Sequence, residues 1–246
     1  MAARVLQQFQ GFSGSQIFLM QKNNQLFVRK IANVERNYTR IQALKDVCPV
    51  PKIYTYTADT LDMEYIHGLD MRTWLLSNSS KGLTRFLYEQ INKFTNKTQP
   101  KDYSETYQNF LSNFDNNLVP FDITELFDHL PKILPQSIYI GDLTLENIIA
   151  TDQGFYIIDC QESVFDSFIF DIAKLRQDLH CRWFLRKSPA MIEHKLNEIE
   201  TKVVSQWPQG SDNYLLILML MRVLRYSPRG STEFNFLQAE IERLWK

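Results

Sequence analysis

Cysteine is sparse in this sequence: Cys48, Cys160 and Cys181 are the only three in 246 residues. An odd, scattered set fits neither a disulfide framework nor a zinc spacing, so a reducing compartment is expected. Histidine is as thin. His67, His129, His180 and His194 form no HxxxH pair, which argues against a histidine-built metal site. No apolar run is long enough to span a bilayer. The most apolar one, Tyr214–Leu224 (YLLILMLMRVL), is too short and contains Arg222, so it reads as a buried helix. The first residues, MAARVLQQFQ, lack the apolar stretch of a signal peptide. An excess of charge is missing too. With 27 Lys+Arg against 28 Asp+Glu the formal net charge is −1, so neither nucleic acid nor a membrane surface is expected as a partner. There is no GxSxG elbow, no Walker A motif, no repeat and no low-complexity segment. What these absences leave is a soluble, cytoplasmic, globular protein.

The first third of the chain has strand-like spacing of apolar residues. Strands are expected over 4–10, 15–21 and 25–31, with a turn at Lys22–Asn24. A helix over 33–47 follows, with Asn33 as its cap and Ile41 and Leu44 on one face. Segments 49–57 and 60–68 read as strands. After Gly68 the pattern turns helical, over 69–79, 82–99, 106–117 and 123–134. A β-hairpin turning at Asp152–Gly154 comes next, and then helices over 168–187, 189–206, 212–226 and 231–245. The last is amphipathic, with Phe234, Leu237, Ile241 and Leu244 at helical spacing for packing. The expected architecture is α+β and bilobal: a β-rich lobe over 1–66 and a larger helical lobe over 67–246 that embeds the hairpin.

Glycine is scarce at eight residues, and five fall at marked places: Gly11 and Gly14 in GFSGS between the first two strands, Gly68, Gly141 and Gly154. A Gly- and Ser-rich strand turn can offer backbone N–H groups to phosphate oxygens, although an ordinary hairpin turn has the same composition. The hairpin region is more specific. YIGDLTLENIIATDQGFYIID sets Asp142, Asn147 and Asp159 at the edges of two short apolar segments. A lone Asp before a turn is usually a cap, and a lone Asn a turn residue. Together the three match the needs of phosphoryl transfer, which uses an acceptor for the proton of an attacking hydroxyl and oxygen ligands for Mg²⁺.

GDLTLENII followed by YIIDCQES resembles the signature of the aminoglycoside phosphotransferase and choline kinase-like family, small-molecule kinases with a protein-kinase-like fold. Other pieces resemble that family in order: GFSGSQIFLM, LFVRK, CPVPKIY, MEYIHGLDM and FIFDIAKL, the last matching a DxAxL helix start. The resemblance spans about residues 10–180. It implies that Asp142 is the catalytic aspartate and that Asn147 and Asp159 ligate Mg²⁺. It implies that Ser13, Gly14 and Ser15 lie in the nucleotide-covering loop and that Glu64, Tyr65 and Ile66 form the adenine-binding linker. Lys30 matches the phosphate-binding lysine. Arg29 points to the opposite face of the strand, and which of the two faces the phosphates stays open. The family's histidine two residues before the catalytic Asp is Ile140 here. The helix residue that pairs with the strand lysine is open between Glu35 and Gln42. Asp171 is expected to brace the second lobe, and Lys174, Arg176 and Arg182 to be solvated rather than to bind an anionic acceptor.

The resemblance therefore implies ATP or GTP and Mg²⁺ as cofactors and a small hydroxylated molecule as acceptor. GDLTLEN with FDSFIFDIAKLRQDLH is most similar to phosphotransferase-like proteins encoded with capsular-polysaccharide genes, which points to a sugar or polyol. An aminoglycoside, choline or protein hydroxyl is the alternative acceptor, and a nucleotide-binding pseudokinase scaffold the alternative class. Oligomeric state is not legible.

Overall fold

Alternation of apolar and polar residues builds the first elements. β1 (Arg4–Phe9), β2 (Gln16–Lys22) and β3 (Gln25–Ile31) run antiparallel, each paired with the next. Asn23 and Asn24 turn β2 into β3 with φ of 49° and 62°. Two consecutive positive φ angles match the twist of a tight hairpin, and asparagine tolerates them better than most residues. α1 (Glu35–Leu44) follows, then β4 (Ile53–Tyr56) and β5 (Thr60–Glu64), giving one sheet in the order β1-β2-β3-β5-β4. The expected cap Asn33 is replaced by Val34, which makes no side-chain cap bond but is fully buried. Apolar packing, rather than capping, sets where this helix begins.

The chain continues through β6 (Leu69–Asp70), α2 (Met71–Ser77), α3 (Lys81–Phe94), β7 (Gln99–Asp102), α4 (Ser104–Ser112), α5 (Ile123–His129) and β8 (Ile133–Gln136). The hairpin strands β9 (Ile148–Thr151) and β10 (Gly154–Ile157) come next, then α6 (Phe168–Leu179), α7 (Glu193–Val203), α8 (Asn213–Leu224) and α9 (Thr232–Trp245). This computed structural model describes residues 3–9, 15–186 and 190–246.

Two compact units result: Met1–Trp74 with Glu146–Ser163, and Leu75–Leu145 with Val164–Lys246. By this division the hairpin, expected in the helical lobe, groups with the β-rich unit, whose first segment runs to Trp74 where the expectation had 66. Strand pairing is the cause. β6 pairs with β9, Leu69 opposite Ala150 and Asp70 opposite Ile149, in a second sheet of order β10-β9-β6. Ile157 N–H also donates to the Pro49 carbonyl at 2.9 Å.

In the second unit, two expected helices give way to strands. The segment expected as helix over 82–99 stops at Phe94, and the one over 123–134 stops at His129. Proline ends the second and keeps the tail of the first out of helix. Pro100 biases Gln99 away from helical backbone, and Pro131 ends α5. The released segments pair as β7 and β8, with Pro100 opposite Pro135. A two-stranded ribbon tolerates proline because each strand has an outward edge that needs no donor. The helix expected over 168–187 ends at Leu179, and Arg182 (φ 62°) leads into a 3₁₀ turn at Trp183–Leu185. α8 is the buried helix expected from the apolar run, and α9 buries Phe234, Leu237, Ile241 and Leu244 as its pattern requires. Among the described residues no helix is long and apolar enough to cross a membrane.

Gly68 sits where a side chain has no room. A Cβ there would lie 2.2 Å from the Ala150 carbonyl oxygen and 2.7 Å from Ile149 Cγ2. Because the obstacle is backbone in a paired strand, Gly68→Ala is expected to destabilise the fold by about 2 kcal/mol, read by urea unfolding. A second prediction concerns Asp166, which accepts from Lys101 Nζ at 2.7 and 2.8 Å, Tyr103 OH at 2.9 Å and Gln136 Nε2 at 2.5 Å. Burial raises its pKa, but the hydrogen bonds from Lys101, Gln136 and Tyr103 outweigh that and leave it below the usual carboxylate value. A carboxyl depressed by folding stabilises the protein above its unfolded pKa and loses that contribution as pH falls through its folded one. Asp166→Asn should therefore be less stable than wild type at pH 7, with the gap closing below about pH 4; equal stability at pH 7 would refute this.

Candidate active site

In the first unit, strand alternation sends Arg29 and Lys30 to opposite faces of β3. Arg29 forms a two-pronged pair with Asp62, 2.6 Å for each bond, and Thr55 Oγ1 donates to the same carboxylate at 3.0 Å. Lys30 is 3% exposed, and its Nζ lies 2.7 Å from Asp159 Oδ1. Of the two adjacent cations, Lys30 is thus the one joined to Asp159. Asn37 of α1 donates from Nδ2 to Asp159 Oδ1 at 3.1 Å and to the Cys160 carbonyl at 2.8 Å. The α1 side chain that reaches this pair is therefore Asn37, rather than Glu35 or Gln42. The buried positions of α1 are 37, 40, 41 and 44, a single helical stripe that excludes both expected candidates. That stripe, with a polar residue at its N-terminal end, is the signal that could have found Asn37. Asp159 has φ 56°, a left-handed conformation that costs a non-glycine residue on the order of 1 kcal/mol and is held here by two side-chain partners.

Asn147 ends a 3₁₀ turn at Leu145–Asn147, and its carbonyl accepts from Ile158 N–H at 2.8 Å. With Ile148 opposite Ile157 in the ladder, Asn147 and Asp159 flank the same open end of the hairpin. One carboxylate and one amide oxygen suit Mg²⁺, which takes few protein oxygens and keeps waters. Among the described residues no group of three or more His, Cys, Asp or Glu could hold a metal ion. Glu64 closes β5, its N–H donating to the Lys52 carbonyl at 2.8 Å and its Oε2 accepting from Lys52 N–H at 3.2 Å. Tyr65 and Ile66 follow beyond the end of the strand ladder, with Tyr65 edge-on to His67. Ser15 precedes β2, whereas Ser13 and Gly14 lie outside the described residues.

In the second unit, the segment around Asp142 is held by α6. Gly141 has φ 93°, which glycine alone adopts without strain. Asp171 accepts from Ile140 N–H at 2.5 Å and Gly141 N–H at 2.8 Å, and Asp178 accepts from Leu145 N–H at 2.7 Å. Lys174 Nζ lies 3.3 Å from Asp142 Oδ1. Residues 171, 174 and 178 share one helix face by their spacing. Ile140 itself is fully buried. Where the resemblance would place a histidine, an apolar side chain packs and Asp171 supplies the hydrogen bonding. The expected solvation of Lys174 and Arg176 is overturned: they are 8% and 4% exposed, because all twelve residues of α6 are buried. Arg176 donates to the Asp212 carbonyl at 3.0 Å and Asn213 Oδ1 at 2.9 Å, and burial lowers its pKa. Arg182 pairs with Glu193 at 3.2 Å. Asp178 was not anticipated, although its spacing from Asp171 in DIAKLRQD carries the signal.

No protein-family model matches the chain, nor does any curated protein. Solved structures do. A thermostable mutant of aminoglycoside phosphotransferase APH(4)-Ia, in ternary complex with AMP-PNP and hygromycin B, has a TM-score of 0.69 at 10% identity, covering 99% of this chain and 93% of that one. Choline kinase LicA from Streptococcus pneumoniae has a TM-score of 0.60 at 15% identity, covering 100% of this chain and 93% of that one. The chain has the protein-kinase-like fold of these structures.

The bracing by Asp171 can be tested directly. Asp171→Ala would leave two buried amides without their charged acceptor, and the expected loss is about 3 kcal/mol by urea unfolding. Wild-type stability in that variant would refute the bracing role.

Proposed function

We propose that this chain transfers the γ-phosphoryl group of ATP or GTP to a hydroxyl of a small molecule. The observation that carries the reading is the Lys30–Asp159 pair, which joins residues 129 apart in sequence within the first unit. A buried strand lysine against a carboxylate at the open end of the hairpin is an arrangement suited to nucleotide phosphates and a divalent cation. Asp159 and Asn147 would hold Mg²⁺, which when bound supplies charge neutralisation at the transferring phosphate. Lys30 would bind phosphate oxygens, and the backbone of Glu64, Tyr65 and Ile66 would receive the base. The Ser13-Gly14-Ser15 turn would cover the phosphates with backbone N–H groups. Asp142 would accept the proton of the acceptor hydroxyl. Positioning and fixed charge carry most of the rate gain in such chemistry.

The similar structure that binds AMP-PNP and hygromycin B supports a nucleotide donor and a small-molecule acceptor. For the acceptor we favour a sugar or polyol used in surface-polysaccharide assembly, on the resemblance of GDLTLEN and FDSFIFDIAKLRQDLH to capsule-associated proteins.

The test is thermal unfolding with ATP, GTP or ADP, each with and without Mg²⁺, followed by nucleotide consumption over a panel of sugars, polyols, aminoglycosides and choline. A Mg²⁺-dependent rise in midpoint is expected for wild type, and its loss in Asp159→Ala. That variant strands the buried Lys30 cation and starts from a lower midpoint, so the ligand-induced shift is the quantity compared. Asp142→Asn should keep the nucleotide shift while transfer falls at least ~100-fold. No shift with any nucleotide would refute the reading in favour of a scaffold.

A further inference from the structure

The segment from Ile140 to Asn147, IGDLTLEN, contains no Lys, Arg or His. The cation beside Asp142 comes instead from α6. Lys174 Nζ lies 3.3 Å from Asp142 Oδ1 and 3.2 Å from Gln177 Oε1, and Gln177 is itself 1% exposed. Among the described residues, Asp142 is the one carboxylate paired with this ammonium. A buried ammonium needs such a partner, so the pair constrains the Asp142 side chain as much as it satisfies the lysine. The backbone on either side is already pinned by Asp171 and Asp178 from the same helix face. Lys174 adds a third point, one that acts on the Asp142 side chain itself. In the DxAxL pattern it falls at the undefined position, so the resemblance assigns it nothing.

We propose that Lys174 is a positioning residue for Asp142, an inference that rests on the phosphotransferase reading. It holds one carboxylate oxygen and keeps the group aligned for the acceptor hydroxyl. In the step it serves, the acceptor O–H bond breaks and its proton passes to Asp142. The acceptor oxygen bonds to the γ-phosphorus as the bridging P–O bond to the β-phosphate breaks, and the nucleoside diphosphate leaves.

Five proteins test this: wild type, Lys174→Met, Lys174→Arg, Asp142→Asn and the Lys174→Met/Asp142→Asn double variant. The probe reaction is hydrolysis of Mg·ATP, with water as acceptor, and ATP affinity is measured by calorimetry. Lys174→Met is expected to lower kcat by ~100-fold while ATP Kd changes less than about twofold, because misplacing a reacting group costs rate rather than binding. Lys174→Arg should recover most of the loss, and Lys174→Met should cost nothing further in the Asp142→Asn background. Wild-type kcat in Lys174→Met, a loss that falls on Kd, or losses that multiply in the double variant would overturn the proposal. Urea midpoints of the same proteins give a readout that needs no turnover. Asp142→Asn should lower the midpoint by stranding the buried lysine, and adding Lys174→Met should bring it back towards wild type. Additive shifts would overturn the pairing. A wild-type chain that neither binds nor hydrolyses Mg·ATP would sink the phosphotransferase reading, and the urea midpoints would still decide whether Lys174 holds Asp142.

Discussion

A helix buried along its whole length cannot leave a carboxylate, an ammonium or a guanidinium without a partner, because each would forfeit its hydration for nothing. α6 is such a helix, and five of its twelve residues are Asp171, Lys174, Arg176, Gln177 and Asp178. The order of the second unit follows from where they find partners. Asp171 and Asp178 take backbone N–H groups on either side of Asp142, Lys174 takes the Asp142 carboxylate, and Arg176 ties α6 to the start of α8. The apolar positions of the same helix fill the core between α7 and α8. One helix therefore acts as both core and template: its hydrophobic burial drives folding, and its polar burial writes the shape of the adjoining loop.

The first unit reaches a similar result through a sheet. β3 delivers Lys30 to one face, α1 delivers Asn37, and the hairpin delivers Asp159 in a left-handed conformation that these two partners secure. Arg29, one residue away, is occupied on the other face by Asp62 and does not compete. Capture of the hairpin by β6 is what places Asp159 and Asn147 in this unit at all.

The legible part of the site was the local part. Asn147 and Asp159 stand out because a tight hairpin sets both at its open end, and Asp152–Gly154 announces its turn. Lys30 could be narrowed only to a pair, since alternation says that two residues face opposite ways without saying which way is inward. Asn37 was hidden because a neutral amide gives no charge signal, while Glu35 does. Lys174 and Arg176 read as surface residues because charge predicts exposure unless burial is known, and burial is a tertiary property. β7 and β8 were lost for the same reason: their pairing joins segments more than thirty residues apart.

Ile140 gives the loop one more property. An imidazole at this place would gain or lose a proton between pH 5 and 8, and its hydrogen bonds would change with it. Isoleucine carries no proton to exchange, and the amides of Ile140 and Gly141 rest on the Asp171 carboxylate. The segment before Asp142 is thus fixed by a packed hydrocarbon and two hydrogen bonds to one carboxylate, with no imidazole proton to couple its shape to pH near neutrality.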